Sequence, residues 1–266
     1  MLNFILQSNL IENENFGLVA EKLGHNILRY NDLSEYLSID NGLPTYVRCS
    51  LDHYLSYWRK NSPNPGVCFE ASNFKYLEYQ QYWNGYLLNN NFIVCPISNL
   101  TEEWYNEFIH GDMFIRPNSG CKSFTGQTIF KYKDLKQIID LYRPLPSELA
   151  IFAPARPISN EARLVVGIDK DEKPVILAGS MYRIDGNVQN ERINKDSRYW
   201  KFGQKAAEQV LEKYGNPPSE LFTLDVCSER WRDELYIVEL NSFGCAGLYD
   251  CEIESIIHFM EKQWTT

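Results

Sequence analysis

The chain has 266 residues, 44% hydrophobic and 23% charged, with a formal net charge of −9. That length can bury a real core in two or three subdomains, and the composition is globular. The acidic balance argues against a broad nucleic-acid surface, and the N-terminal MLNFILQSNL is too short and polar to span a membrane. Seven scattered cysteines with no CxxC pair read as reduced thiols of a cytoplasmic protein rather than as a zinc site.

From the N-terminus, Phe4 to Leu6 reads as a first strand and Asn13 to Leu23 as a helix capped by Gly24. Thr45 to Arg48 reads as another strand, and Ser50 to Lys60 as a helix or an irregular aromatic segment. The turn NSPNPG, Asn61 to Gly66, breaks the chain. This alternation predicts a small α/β domain over residues 1–95. It carries no chemical motif, and the tyrosines between Tyr76 and Tyr86 read as helix packing more than as a ligand surface.

A hairpin follows, with strands at Met113 to Pro117 and Thr128 to Tyr132. Its loop holds Ser119, Gly120, Lys122, Ser123, Thr125 and Gly126. Such small residues let backbone amides approach an anion, and Lys122 with Arg116 brings positive charge. The P-loop spacing is absent, and a solvated hairpin tip accounts for the same residues equally well. A short helix covers Leu135 to Leu141.

The next hairpin runs from Glu161 to Ile168 and from Pro174 to Arg183. Centred on Asp171, it sets Arg163 opposite Gly179, with Arg183 on the same face. Two arginines beside a glycine suit an anion; a surface pairing with Glu161 or Asp185 is the alternative. Arg198 to Tyr214 places Phe202, Ala206, Val210 and Leu211 on one helical face, and GNPP, Gly215 to Pro218, ends that helix. A last helix is expected from about Cys251 to Gln263.

The segment FTLDVCSERWRDELYIVELN, Phe222 to Asn241, is the most informative. Apolar residues alternate on both sides of a polar turn, the pattern of two paired strands. Centred on Arg232, the hairpin sets Asp225 opposite Glu239, with Asn241 on the same face and Leu224, Val226, Val238 and Leu240 on the other. Directly opposed carboxylates destabilise a sheet unless something neutralises them. A cation does so, and an arginine would also serve. Three oxygen donors on one face suit a hard divalent ion such as magnesium. Against this, Glu-x-Asn is a common chance match, and acidic residues on a solvent face are ordinary.

Taken in chain order, FIRPNSGCKSFTG, ISNEARLVV, SMYRIDG, TLDV and VELNSFGCAGLYD resemble the ATP-grasp fold. The likeness is closer still to a phage and bacterial clade of that fold named for two arginines and a lysine, and it covers the chain from about residue 67 onward. The resemblance implies an α/β (α+β) architecture, two α+β lobes clasping ATP behind a small N-terminal α/β domain. The expected divisions are residues 1–95 for that domain, 96–150 for the small lobe with the phosphate loop, and 151–266 for the large lobe with the metal site. It implies ATP and magnesium, two ions, held by Asp225, Glu239 and Asn241. Arg116 stands where many members carry a phosphate-binding lysine, and Lys122 would contact the β- or γ-phosphate. The hinge from Ile151 to Arg156, including Ala153 and Ala155, would cradle adenine through backbone groups, with Glu161 and Arg163 just past it. Arg183 would stabilise the transferred phosphoryl group or acyl phosphate, so Arg183, Arg163 and Lys122 are the expected catalytic residues. In several ligases of this fold an arginine lies two residues before the metal-binding Asp; here that position is Thr223, and Arg163 and Arg183 are candidates to supply the charge.

The implied activity is ATP-dependent ligation of a carboxylate to an amine through an acyl phosphate, on small-molecule or peptide substrates. A small-molecule kinase and a non-enzymatic nucleotide-binding protein are the alternatives. Phe243 to Asp250, FGCAGLYD, is expected to help choose the substrate, and Cys245 within it reads as a buried thiol.

Overall fold

A computed structural model describes residues 1–33 and 41–264. They form two compact units, the first made of Met1–Glu70 with Ser159–Thr266 and the second of Ala71–Ile158. The first unit opens with β1 (Asn3–Gln7), α1 (Ile11–Lys22), β2 (Asn26–Tyr30) and β3 (Thr45–Arg48). Helix α1 turns Phe16, Gly17 and Ala20 inward and stops where Gly24 takes φ +83°, a backbone state that costs glycine nothing. The aromatic segment is helical throughout: α2 (Leu51–His53), a π-helical stretch (Tyr54–Trp58) and α3 (Arg59–Asn61). The short β4 (Pro65–Gly66) completes a four-stranded sheet in the order β2-β1-β3-β4, all of whose pairs are parallel.

The second unit contains α4 (Tyr76–Trp83), β5 (Ile93–Pro96), α5 (Glu102–Phe108), β6 (Met113–Pro117), β7 (Gln127–Ile129), α6 (Tyr132–Tyr142) and β8 (Leu149–Pro154). Its sheet, β5-β8-β6-β7, is antiparallel. Ile115, Phe124, Ile129, Leu135 and Phe152 form the centre of its core. Tyr76, Tyr79 and Trp83 are buried, as the packing reading of that helix expected.

The chain then returns to the first unit through β9 (Ile158–Ile168), β10 (Pro174–Ile184), β11 (Asn187–Ile193), α7 (Arg198–Tyr214), β12 (Leu221–Glu229), β13 (Leu235–Ser242) and α8 (Ile253–Trp264). The strands form one sheet, β11-β10-β9-β12-β13. Helix α7 has the limits its pattern predicts: Ser197 caps it by accepting from Tyr199 N, and Gly215 closes it in the left-handed region. It lies close to the sheet at Gly203, where a Cβ would sit 2.2 Å from Leu164. One core joins both ends of this unit, with Phe4, Phe16, Val165, Phe243, Ile256 and Met260 among its buried members.

Candidate active site

The hairpin β12–β13 carries the densest chemistry. Its register pairs Asp225 with Glu239, and Thr223 with Asn241, as the sequence pattern predicts. One detail differs. A β-bulge inserts Val238, so Ile237 pairs with Val226 and takes the buried place expected of Val238. A bulge bends the strand locally and re-aims the side chain beside it, here Glu239.

The β9–β10 hairpin departs further. Bulges at Leu177 and Tyr182 shift its register, so Arg163 lies opposite Ser180 rather than Gly179, and Arg183 lies opposite Glu161. The second bulge restores parity, so Glu161, Arg163, Ser180 and Arg183 still share one face.

On that face the first unit gathers six of the expected site residues. Arg163 meets Asp225 with a two-pronged contact, Nε to Oδ1 and Nη2 to Oδ2, both 2.7 Å. The arginine is thus the partner that neutralises one of the opposed carboxylates. Asn241 Nδ2 donates to Asp225 Oδ2 at 3.2 Å and to Glu239 Oε1 at 3.1 Å, so the amide bridges the two acids. Arg183 pairs with Glu161 at 3.4 Å, and its side chain is 42% exposed. Burial pushes the Glu161 carboxyl upward, and the Arg183 charge opposes that rise. Burial also works against the Arg163 charge, but Asp225 more than offsets it and holds the guanidinium protonated.

Two tyrosines that the sequence reading did not single out complete this group. Tyr182, the bulged residue, lies beside Glu161 and works against the rise of its carboxyl. Its ring stacks on Tyr249 at 4.9 Å and 18°. The Arg163 guanidinium packs against both rings, at 5.7 and 5.1 Å. Tyr249 has φ +51°, an uncommon state for a bulky residue and one that no residue-type signal foretells.

The Phe243–Asp250 segment is held through its carbonyls. The buried Arg48 donates to Phe243 O and Ala246 O, each at 2.8 Å, while its Nε donates to Asn13 Oδ1 at 3.1 Å. Cys49 N donates to Gly244 O at 2.9 Å. Cys245 is half-buried rather than buried.

The second unit places its residues on β6, β8 and the β6–β7 loop. Arg116 is buried on β6, opposite Ile151 of β8, with its guanidinium 5.0 Å from the Tyr76 ring centre. One of the packed tyrosines therefore also positions a candidate phosphate ligand. Lys122 sits in the loop at φ +49°. The loop is built rather than loose: Phe124 anchors it in the core, and Ser123 Oγ donates to Glu148 at 2.5 Å. Lys122 N and Cys121 N donate to Ser119. Those two amides are thus engaged within the loop, which the small-residue argument did not anticipate. β8 runs between β5 and β6; pairing with β5 reaches Phe152, and Ala153 continues beyond it opposite Phe114. Ala155 N donates to Asp112 O.

The acidic group fits magnesium by donor type. Asp225, Glu239 and the Asn241 amide offer hard oxygens, and the Asn241 NH2 stands between the two carboxylates, where a cation would balance them. Rotating that amide by half a turn exchanges its donor for an acceptor at the same place. Among the described residues there is no group of three His, Cys, Asp or Glu side chains that could hold a metal, so the amide is needed to complete the set.

A family model described as an "ATP-grasp domain", representing the second family of one clade of that fold, matches residues 90–259, more than half of the chain. The chain belongs to the ATP-grasp family. Solved structures agree on the fold. A D-cycloserine synthetase matches this ATP-grasp chain with a TM-score of 0.68 and 11% identity, over 100% of both chains. The D-alanine–D-alanine ligase of Bacillus anthracis matches with a TM-score of 0.57 and 12% identity, over 99% of this chain and 97% of that one. The ATP-grasp ligase PsnB, crystallised with a variant precursor, magnesium and ADP, matches with a TM-score of 0.53 and 12% identity, over 97% and 98%. No curated protein matches the sequence. Among the described residues of this ATP-grasp chain, no helix is long and apolar enough to cross a membrane.

Proposed function

We propose that this ATP-grasp protein is an ATP-dependent ligase that joins a carboxylate to an amine. The observation that carries the reading is the Asp225–Glu239 pair bridged by Asn241 in a family named for grasping ATP. The ligases among its structural likenesses act on small molecules or peptide precursors, which supports those substrate classes here.

In this reading the substrate carboxylate attacks the γ-phosphorus of ATP and ADP leaves. The amine then attacks the acyl carbon, and phosphate leaves as the amide forms. Magnesium, held by Asp225, Glu239 and Asn241, would supply positive charge against the phosphates. Arg183, exposed and on the same face as those acids, is suited to balance charge on the transferred phosphoryl group. Arg116 and Lys122 of the second unit would bind ATP phosphates, and the backbone from Ala153 to Ala155 would hold adenine. Two of Arg116, Arg163 and Arg183, together with Lys122, are the candidates for the arginines and lysine of the clade resemblance.

Glu239→Gln removes a charge without changing shape. It is expected to abolish ATP-dependent phosphate release, in a screen of amino acids and short peptides read with mass spectrometry of the product. Its melting curve should match wild type. Wild-type turnover by that variant would sink the assignment, and a phosphorylated product in place of an amide would make the protein a kinase.

A further inference from the structure

The role of Arg163 follows from how its guanidinium is occupied. Three of its N–H groups are committed, two to Asp225 and one, from Nη1, to Gly247 O at 2.9 Å. Its charge is matched and its Nε–Nη2 edge is taken up by Asp225, unlike that of the exposed Arg183. It is therefore placed to hold Asp225 rather than to grip phosphate.

The other half of its contacts lies on the 243–250 segment. That segment starts on a rigid base, with carbonyls fixed by Arg48 and by Cys49 N. Its far end touches the site three times. Gly247 O accepts from Arg163, the Tyr249 ring packs on the same guanidinium, and Asp250 N donates to Ser180 Oγ at 3.2 Å. Ser180 is the cross-strand neighbour of Arg163. Between these ties Tyr249 holds a left-handed backbone, which persists in a non-glycine residue when its surroundings over-determine it. The stacked Tyr182 ring supplies the remaining wall.

We propose that Arg163 and Tyr249 are positioning residues that lock the end of the 243–250 strap to the Asp225 carboxylate, so that metal binding at Asp225 and ordering of the strap are one coupled event. The inference rests on the metal assignment made above for Asp225, Glu239 and Asn241. Groups that orient a ligating side chain from behind commonly change metal affinity about 10–100-fold when removed.

The test uses the full chain and a non-hydrolysable ATP analogue. Calorimetry measures analogue affinity as magnesium is varied, and hydrogen exchange follows the amides from Gly247 to Cys251. In the wild type, magnesium with the analogue should slow exchange in the strap. Tyr249→Phe keeps the ring and should behave as wild type in both measurements. Tyr249→Ala and Arg163→Lys should need about 10-fold or more magnesium for the same analogue affinity, and the strap should lose its added protection. Tyr249 is half-buried, so its variants keep the test alive if Arg163→Lys fails to fold. Wild-type magnesium dependence with wild-type strap protection in Tyr249→Ala overturns the proposal while leaving the metal site standing. If analogue binding by wild type and by Glu239→Gln is equally indifferent to magnesium, the metal assignment falls and the proposal falls with it.

Discussion

Removing the Arg163 side chain while keeping its bulk, as in Arg163→Met, should unfold the protein more readily by an amount set by Asp225. The two side chains are 9% and 3% exposed, and they share a pair of 2.7 Å contacts. In the variant a buried carboxylate faces Glu239 across the strand pair with the Asn241 amide as its remaining polar partner on the hairpin. Breaking a buried pair from one side costs about 3–5 kcal/mol, because the surviving charge stays desolvated. For a unit of this size each kcal/mol moves the melting midpoint by roughly 2–4 °C, which gives a drop of about 6–20 °C. A companion variant isolates the cause. Arg163→Met with Asp225→Leu removes both charges and should recover most of the loss, since an apolar pair of similar volume is often neutral or better. Thermal and urea melts by near-ultraviolet circular dichroism read both. A single variant within about 1 kcal/mol of wild type at pH 7, or a double variant no better than the single, would refute the reasoning.

Other expectations are simpler. Gly244→Ala would push a methyl to 2.2 Å from Val67 O and 2.9 Å from Val47 O, two backbone atoms that cannot swing away. Overpacking of this kind costs about 1–3 kcal/mol or more, and a chemical denaturation midpoint equal to wild type would contradict the close approach. His25 is held neutral: burial lowers its imidazole below 6.5 against the pull of Glu261, and its Nδ1 accepts from Leu2 N. With the folded value below the unfolded one, its contribution is complete above about pH 6.5 and is lost as pH falls toward the folded value. Melting midpoints taken from pH 7.5 to 5 should decline in that window and decline less in His25→Gln; parallel slopes would remove His25 as the cause.

What the sequence revealed and what it concealed follow physical lines. The opposition of Asp225 and Glu239 was legible because alternation on both sides of a polar turn fixes register to within a residue. α7 was legible because a capping serine, an apolar face and a GNPP stop agree with one another. Bulges defeat such counting. An extra residue at Leu177, Tyr182 or Val238 leaves no mark in a hydrophobic pattern, yet it moved Arg163 from Gly179 to Ser180 and gave Ile237 the place of Val238. β11 went unnoticed because NVQNERI is polar and nearly all exposed, so no face alternates. The choice between a cation and an arginine as neutraliser of the acids was open in the sequence, since Arg163 and Asp225 lie 62 positions apart. Only tertiary structure brings them together. Tyr249 was hidden for another reason: its ring reaches Arg163 from a backbone state that its residue type disfavours.

The Asn241 amide bears on how the proposed metal site would rest without its ion. A carboxylate pair that already has a donor between its members needs no resident ion to keep the sheet intact. On the proposed reading, metal would arrive and depart with each nucleotide through rotation of that amide and ordering of the 243–250 strap, with the sheet itself left in place. Chelator treatment should accordingly leave the melting curve unchanged, whereas Asn241→Asp, which puts a third negative charge in the gap, should make the same curve depend on added magnesium.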